Sequence, residues 1–377
     1  MKVLQKWGWE VSKNTEKKLC RVYNKVSYNK VSYNINKSIS KIMYKLFIGI
    51  LIFCIILFIY LHIHFHLKTG DDLEVYEVDQ LSKDKLEEIC DLRQPVVFDF
   101  MEEGDDGCGD NTGRRLIEHT NKTYITKNYP AFEIKIRNVK EPDYESEIFI
   151  PLPLHAGEKL LVEDKRSTYF SENNGDFLQE SGVVKQFQYN DMFIRPYMVS
   201  NCNYDIMMGS ENTTTPFRYE LNYRNYFLVT EGTVVVKMTP PKSAKYLYTV
   251  YDYENFEFRS PVNAWNPQPQ YIADFDKIKC LDVSLTRGKI IQIPAYWWYS
   301  IKFSKDSCIS CFRYRTYMNN IAITPHIVMY SLQQQNVKRN VVSVSPAATI
   351  SIVSSDVEME TKTQDVSEPT TNTTSML

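Results

Sequence analysis

Imidazole and carboxylate side chains are the first groups to weigh, because two histidines and a carboxylate facing one point would bind a redox-active iron. Residues 68–377 contain three histidines, His119, His155 and His326. His119 precedes the β-rich part of the chain, His155 lies in a Pro-rich turn, and His326 follows the last predicted strand. We therefore expect loop or capping histidines and predict neither a metal nor a cofactor.

A pair of cysteines three positions apart is the second candidate for chemistry. Cys308-Ile-Ser-Cys311 has the spacing of redox and zinc motifs. No second such pair and no nearby histidine accompanies it, and two cysteines in one strand cannot easily bond to each other. The pattern therefore disfavours a zinc site and a catalytic dithiol. The chain also lacks GxSxG, a phosphate-binding Gly-rich loop and HExxH.

The central part of the chain carries an ordered set of turn and strand signals. They are the Gly209 turn, Thr215-Pro216, Asn225, the Gly232 turn, Pro240-Pro241, Gly288, Pro294, Trp297 and Trp298, with Gln94-Pro-Val-Val as an opening strand. In this order and spacing they resemble the JmjC-type, cupin-like family over roughly residues 90–320. The resemblance implies a double-stranded β-helix.

The resemblance also implies where chemistry would occur. Active members hold Fe(II) with His-x-Asp/Glu and a distal His, and use 2-oxoglutarate; three facial ligands leave positions open for oxygen and the co-substrate. The corresponding residues here are Arg218, Glu220 and Tyr299, and a shift of one residue gives no histidine either. The lysine that anchors 2-oxoglutarate aligns with Val234; Lys237, three residues on, turns to the other strand face. The resemblance thus implies a barrel that has lost its iron site.

Other residues around these positions have open roles. Arg218 and Glu220 are expected to form a salt bridge inside the barrel or at its mouth. Arg224, Arg313 and Arg315 could line a cationic pocket for an anionic small ligand, although a solvated strand face is the alternative. Alternation along a strand predicts one tryptophan in the core and one at the surface, where it could stack on a ligand. The candidate pocket residues are Asn225, Arg313, Trp297 and Trp298.

An apolar segment precedes this domain. Leu46–Leu67 contains no Lys, Arg, Asp or Glu in 22 residues, enough at about 1.5 Å per residue to cross the roughly 30 Å hydrocarbon core. A buried core helix and a signal peptide are the alternatives. Residues 1–45 carry eleven Lys or Arg against two Glu, a net charge of +9. The pattern predicts a single-pass anchor in a lipid bilayer, with a cytosolic N-terminus and a lumenal or extracellular C-terminal domain.

Export would have consequences for several side chains. His62, His64 and His66 are interpreted as interfacial histidines near the outer end of the anchor, with a metal or pH-sensing role as the alternative. Asn121, Asn212 and Asn372 become glycosylation acceptors. Up to three disulfides become possible, without a pairing readable from the sequence, among Cys90, Cys108, Cys202, Cys280, Cys308 and Cys311. The exported part is acidic, which argues against nucleic acid as a partner.

The chain is divided accordingly into five parts. They are a basic tail (1–45), a transmembrane helix (46–67), an acidic stalk (68–80), a cupin-like domain (81–335) and a disordered Ser/Thr-rich tail (336–377). The fold class is mainly β, with flanking short helices, one of them capped by Ser82. Strands are predicted at 94–99, 132–137, 227–238, 246–251, 290–293, 300–303 and 309–317, with a hairpin or bulge at Glu231-Gly232.

The function predicted from these features is a non-enzymatic binding or structural module on a membrane, with an unknown protein or anionic small molecule as partner. One alternative is an Fe(II)/2-oxoglutarate oxygenase with atypical ligands. Another is a surface glycoprotein that binds a partner. The Lys-, Asn-, Ile- and Tyr-rich composition, together with this domain type, resembles proteins of large eukaryotic DNA viruses, which implies a virion or host endomembrane.

Overall fold

The computed structural model describes residues 13–79, 82–100, 112–140 and 149–336. The helices in these ranges are α1 (Lys13–Leu67), α2 (Lys83–Cys90), α3 (Thr112–Thr120), α4 (Lys122–Asn128), α5 (Leu154–Glu163), α6 (Gly175–Glu180), α7 (Val184–Asn190), α8 (Ile272–Phe275), α9 (Tyr317–Ala322) and α10 (Thr324–Asn336). Residues up to Met329 form one compact unit, and a second begins at Tyr330.

The strands of the described ranges are mostly short. They are β1 (Tyr76–Glu77), β2 (Val96–Asp99), β3 (Glu133–Asn138), β4 (Ile150–Pro153), β5 (Tyr169–Ser171), β6 (Val199–Gly209), β7 (Arg218–Tyr219), β8 (Arg224–Glu231), β9 (Thr233–Thr239), β10 (Val250–Asp252), β11 (Glu257–Arg259), β12 (Leu281–Thr286), β13 (Lys289–Ile293), β14 (Trp298–Phe303) and β15 (Cys308–Thr316).

These strands form two sheets that share a core. The larger sheet has the order β1-β2-β13-β8-β15-β6-β5-β3-β4, and the smaller has the order β10-β11-β7-β14-β9-β12. Eight strands, β6 to β9 and β12 to β15, wind between the two sheets in the alternation of a double-stranded β-helix. The predicted mainly β, cupin-like fold with flanking short helices is therefore confirmed.

Apolar residues fill both faces of the larger sheet. Between the sheets, alternate residues of β8, β9, β13, β14 and β15 pack together, among them Phe227, Val236, Ile291, Trp297 and Ile301. On the opposite face, α2 to α7 cover a second cluster that includes Leu116, Phe177 and Phe187. Burial on both faces explains why Tyr226 to Val229 of β8 are four consecutive buried apolar residues.

The turn at Gly232 is not the hairpin that was one of its two predicted forms, whereas the β15–β8 register shifts between Val229 and Glu231, as the bulge alternative predicts. β8 belongs to the larger sheet and β9 to the smaller, so the Glu231-Gly232 step is a crossover between sheets and not a hairpin. Gly232 has φ +70°, and a Cβ there would lie 2.8 Å from Cα of Ser307. Glycine is required because it alone tolerates this backbone conformation and this close approach.

The segment 246–251 was also predicted wrongly as a strand. Pro241–Tyr246 forms a 3-10 helix, and the strand that follows covers only Val250–Asp252. The proline starts the helical turn because its own N–H is not needed at that position. This irregular region, together with Trp265 and Phe275, covers the outer face of the smaller sheet around Phe217 and Trp298.

The apolar helix extends far into the basic tail. α1 begins at Lys13 rather than at Leu46, and its length and composition would allow it to cross a membrane. At its C-terminal end, His66 Nε2 lies 3.4 Å from Thr316 Oγ1. The guanidinium of Arg93 lies over the rings of Phe65 and Tyr223, at 4.8 and 5.1 Å from their centroids. The end of α1 therefore packs directly on the cupin-like domain.

Residues 68–79, predicted as an acidic stalk, also lie along the domain. Tyr76 and Glu77 pair in parallel with Val96 and Val97 at one edge of the larger sheet. Gln94 Nε2 donates to Asp72 Oδ2 at 3.1 Å, and Lys242 Nζ donates to the carbonyl of Asp71 at 2.8 Å. The short helix predicted after Ser82 is confirmed as α2, with Ser82 as its N-cap.

Candidate functional site

Glu220 is the centre of a group of side chains at one end of the barrel. Its Oε1 accepts hydrogen bonds from Tyr299 Oη at 2.6 Å and from Arg313 Nε at 3.0 Å. Its Oε2 accepts from Arg313 Nε at 3.0 Å and from Asn222 Nδ2 at 2.7 Å. Both carboxylate oxygens are thus used by protein donors.

Strand pairing brings the three implied metal positions together. Tyr299 on β14 lies directly opposite Arg218 on β7, and Glu220 follows β7 at once. The guanidinium of Arg218 lies 5.9 Å from the ring centroid of Tyr299. The geometry that would converge iron ligands is therefore present, with different side chains on it.

The predicted salt bridge between Arg218 and Glu220 is wrong, because each binds other residues. Arg218 belongs to an adjoining four-member charge cluster, which we call the inner ion-pair cluster: Arg137, Glu172, Arg218 and Glu257. Nη1 of Arg218 lies 3.0 Å from Glu172 Oε1 and 2.9 Å from Glu257 Oε1, and Nη2 also bonds to Glu172. Nη1 of Arg137 lies 3.1 and 3.0 Å from the same two oxygens. The exposed fractions of the Arg137 and Glu172 side chains are 2% each. Two cations and two anions neutralise each other in the interior, as a buried charge set must.

The charges hold the acidic groups ionised. Burial by itself would raise the pKa of Glu220, but Arg313 and then Arg218 outweigh it and keep that pKa below its usual range. Burial would likewise raise the pKa of Glu257, but the charges of Arg137 and Arg218 outweigh this effect and lower that pKa to about 2. Burial, and next the charge of Glu220, raises the pKa of Tyr299 well above its usual range. The phenol therefore stays protonated and donates.

These residues do not fit a mononuclear iron centre. The three positions offer one carboxylate, a phenol and a guanidinium, and a guanidinium is a permanent cation without a lone pair to donate. The carboxylate is already bonded to three side chains. Within residues 13–79, 82–100, 112–140 and 149–336, no group of three His, Cys, Asp or Glu side chains is arranged to hold a metal ion.

The position of the 2-oxoglutarate lysine does not fit that co-substrate either. Val234 is fully buried in the core between the sheets. Lys237 lies on the outer face of β9, where its Nζ binds Asp282 at 2.7 Å and lies 4.9 Å from the ring centroid of Trp265. Lys237 faces outward, as predicted, because it lies an odd number of residues, three, after the inward-facing Val234.

The two tryptophans correct a prediction. Trp297 and Trp298 have exposed fractions of 0% and 1%, so neither reaches the surface. Trp297 packs between the sheets, while Trp298 lies on the outer face against Phe217 and Tyr219. Strand alternation places them on opposite faces as expected, but the 3-10 helix region buries the second face.

Among the other predicted pocket residues, Asn225 and Arg315 join the Glu220 group through Asn222, and Arg224 does not. Asn225 is buried, with its Nδ2 donating to the carbonyl of Ile293 at 3.2 Å. Arg313 binds Glu220, and Arg315 Nε donates to Asn222 Oδ1 at 2.6 Å. Arg224 lies elsewhere, on the helix-covered face, where it binds Glu87 and Asp91 of the α2 region. These arginines thus do not form one cationic pocket.

The histidines and cysteines are dispersed. His119 Nδ1 contacts the carbonyl of Arg115, His155 Nδ1 that of Pro130, and His326 Nδ1 the hydroxyl of Tyr253. Five of the cysteines predicted as disulfide partners are free thiols: Cys90, Cys202, Cys280, Cys308 and Cys311. The sixth, Cys108, lies outside the described residues. Both members of the CxxC pair lie in β15 and are buried.

The glycosylation acceptors have different surroundings. Asn121 caps α4 and its Nδ2 donates to the carbonyls of Ile117 and Glu118 at 3.1 and 2.9 Å. Asn212 is exposed in a turn after β6. Asn372 lies outside the described residues, as does the predicted Ser/Thr-rich tail from residue 337 onward.

Sequence reasoning missed most of the charges around Glu220. Four of these charges come from four separate strands or strand ends: Arg137, Glu172, Asp205 and Glu257. The contact of Arg137 with Glu257 joins residues 120 positions apart in the chain. Asp205 binds Arg313 at 3.4 Å and accepts from the backbone N–H groups of Asn173 and Asn174. The available signal was a charged residue at a strand position that faces the interior. This signal indicates a buried charge but does not identify the residue that pairs with it.

Comparison with known proteins places the chain among cupin-like sequences. The family model described as a cupin-like domain matches residues 78–319. JmjC domain-containing protein D of Dictyostelium discoideum is 26% identical over 107 residues, covering 28% of this chain and 24% of its own. HSPB1-associated protein 1 of Rattus norvegicus is 26% identical over 98 residues, covering 26% of this chain and 20% of its own. The human HSPB1-associated protein 1 matches to the same extent. The matches thus span a quarter or less of these relatives.

Proposed function

Because the chain belongs to the cupin-like domain family, we propose that it keeps the family's barrel and uses it as a non-enzymatic binding or structural module, attached to a membrane. The observation that carries this proposal is the set of contacts at Arg218, Glu220 and Tyr299. Where an active member would place its metal, Tyr299 donates a hydrogen bond to Glu220 and its ring faces the guanidinium of Arg218. Ion pairs with other residues hold Arg218 and Glu220 in place. The module would act through its surface.

The apolar helix supports the membrane part of this proposal. α1 contains an uncharged 22-residue segment, preceded by basic and followed by acidic residues. We place the basic N-terminal part in the cytosol and the cupin-like domain on the lumenal or outer side. The contacts of Phe65 with Arg93 and of His66 with Thr316 would hold the domain close to the bilayer surface. The compositional resemblance to viral proteins suggests a virion or host endomembrane.

A partner-binding role has a limited second support. One relative carries in its name an association with another protein, HSPB1. Asn212, which is exposed, is the described sequon most open to a glycan. Both fit a surface module that contacts other molecules.

The proposal is tested with the purified full chain in detergent, supplied anaerobically with Fe(II), then with oxygen and 2-oxoglutarate. We expect no succinate beyond the protein-free control. A matched variant, Arg218→His with Tyr299→His, restores the family's ligand pattern around Glu220. Turnover by the wild-type chain that disappears in Glu220→Ala would overturn the proposal in favour of an oxygenase with atypical ligands.

A further inference from the structure

One edge of the larger sheet is left open along most of a long strand. β15 pairs with β6 from Val199 to Met208 on one side. On the other side β5 pairs only with Met208 and Gly209. The carbonyl of Ile206 accepts a hydrogen bond from Asn174 Nδ2 at 2.7 Å. Among the described strands none lies beside residues 199–205 on that side, so backbone donors and acceptors there have no ladder partner.

The remaining sheet edges in the described chain are protected by familiar means. β4, at the end of the same sheet, has prolines at two of its four positions, Pro151 and Pro153. β1 and β10 are two and three residues long, and β12 carries Asp282. Natural proteins use proline, short strands and charges in this way to prevent strand addition. The stretch Val199–Tyr204, Val-Ser-Asn-Cys-Asn-Tyr, has none of these features.

A cleft runs along this open edge. It has a volume of 670 Å³, and its walls are the edge of β6 on one side and α6 with α7 on the other. Gly175 contributes a wall without a side chain at the Tyr204 end, where a Cβ would be in van der Waals contact with the carbonyl oxygen of Tyr204, at 3.8 Å. The start of α6 thus closes the edge at Tyr204, and the open backbone is that of Val199–Asn203. The volume of the cleft is within the range usual for ligand sites.

The lining favours a neutral or acidic polar chain. Four amide side chains line it, and no carboxylate does: Gln179, Gln188, Asn201 and Asn203. Asn201 and Asn203 are exposed, and Tyr189 presents 74% of its surface to solvent at the rim. Arg195 is the cation of the lining, with its Nη2 bonded to Asp191 and Tyr204 and its side chain 40% exposed. Amides can both donate to and accept from a peptide backbone.

We propose that this cleft binds an extended peptide segment of another protein, which adds to β6 as a further strand along Val199–Asn203. Main-chain hydrogen bonds to the open edge would supply affinity, and the amide-lined wall of α6 and α7 would contact alternate side chains. At about 3.3 Å per residue the edge accommodates a segment of roughly five residues. The inference deepens the proposed binding role and rests on it.

The experiment selects a random library of displayed peptides, each of roughly ten residues to cover the edge, against the full chain in detergent. Enriched peptides are then measured by fluorescence anisotropy. Two variants block the site: Gly175→Phe fills the cleft, and Asn201→Lys places a charge on the edge. Glu180→Phe, on the exposed side of α6, is the matched control. We expect each blocking variant to weaken binding at least about tenfold, and the control to bind as the wild type does.

Backbone methylation separates strand addition from side-chain binding. Successive residues of an added strand alternate in which N–H groups face the edge. N-methylation of one alternate set of peptide amides should therefore abolish binding, and methylation of the other set should be tolerated. Equal effects of the two sets, or no enriched peptide, would overturn the proposal.

Two further outcomes keep the test decisive. If Gly175→Phe fails to fold, as judged by thermal unfolding, Asn201→Lys alone carries the comparison because its side chain is exposed. Concentration-dependent dimerisation that Asn201→Lys abolishes would assign the edge to a second copy of this chain and overturn a separate peptide partner. Failure to bind peptides leaves the absence of succinate formation unchanged, so it is distinguishable from failure of the proposed function.

Discussion

Tyr299 donates a hydrogen bond of 2.6 Å to Glu220, so two positions that would share a metal in an active barrel are joined directly to each other. Strand pairing of β14 with β7 sets this distance, and Arg313 binds the same carboxylate from β15. The bond gives Glu220 a neutral donor in addition to its cation. It thus makes the carboxylate a cross-strand connection.

Removal of that hydroxyl should have a measurable cost. We expect Tyr299→Phe to lower the free energy of unfolding by about 1–2 kcal/mol, because a buried carboxylate loses a donor while the ring packing stays. Urea denaturation of the full chain in detergent measures the change. Tyr317→Phe, at a side chain with 59% of its surface exposed, is the control and should change stability by less than about 0.5 kcal/mol. Equal effects of the two variants would contradict a structural role for the bond.

The inner ion-pair cluster should be sensitive to loss of one member. Arg218→Met would leave Glu172 and Glu257 sharing Arg137, with Arg259 as a further partner of Glu257. Breaking a buried pair in this way costs about 3–5 kcal/mol. The control is the surface pair of Lys135 with Asp176, whose side chains are 38% and 73% exposed. Lys135→Met should cost less than about 1 kcal/mol, and a similar loss for both would show that burial does not strengthen the cluster.

Stability should depend on Glu257 at acidic pH. Its pKa is held at about 2 in the folded protein and has an ordinary value of 4.5. A carboxyl with a lowered folded pKa stabilises the protein above its unfolded pKa, and this contribution is lost as pH falls through the folded value. The stability difference between wild type and Glu257→Gln should therefore be constant above that window and shrink between 4.5 and about 2.

Asp205 would oppose this trend without obscuring it. Burial raises its pKa, so its own term favours folding as pH falls. Because Asp205 is present in both proteins, the wild-type-minus-variant difference removes its contribution. A difference that does not vary with pH in this window would contradict the ionised state of Glu257.

The crossover at Gly232 should tolerate no side chain. Gly232→Ala must hold φ at +70° with a Cβ 2.8 Å from Cα of Ser307, and we expect a loss of about 1–3 kcal/mol. Gly175→Ala is the matched control, because its added Cβ would have no contact shorter than 3.8 Å. Thermal unfolding of both variants tests this, and an unchanged Gly232→Ala would show that the turn can relax.

The contact of Arg93 with Phe65 should hold the end of α1 on the domain. Arg93→Ala removes the guanidinium that lies over the rings of Phe65 and Tyr223. We expect faster amide hydrogen exchange over residues 64–70 in the variant, since the helix end would open more often. Arg287→Ala, at an exposed turn before β13, should leave that exchange unchanged. The same rate in all three proteins would contradict a firm junction.

Strands whose sequence pattern is local could be predicted from the sequence, whereas elements that depend on tertiary packing could not. The strands β13, β14 and β15 could be found because they are rich in apolar and aromatic residues, and because Gly288 and Pro294 mark the two ends of β13. Flanking helices were predicted, but the bounds of the five helices α3 to α7 were not, because these helices are short and are stabilised by packing on the larger sheet rather than by their own periodicity.

The charge cluster could be predicted only in part for a related reason. Arg218, Glu220 and Tyr299 were found through the family resemblance, and their proximity follows from strand pairing. Arg137 lies in β3 and Glu172 directly follows β5, and the pairing register of these strands is set by tertiary packing. Nothing in the spacing of charges along the chain specifies such a register.

The central claim is that the barrel has exchanged a metal for contacts between protein side chains. Iron content of the full chain, reconstituted anaerobically with Fe(II) and freed of unbound metal by gel filtration, tests it most directly. We predict no iron above the protein-free control in wild type and in Glu220→Ala alike. One iron per chain in the wild type, lost in Glu220→Ala, would contradict the account.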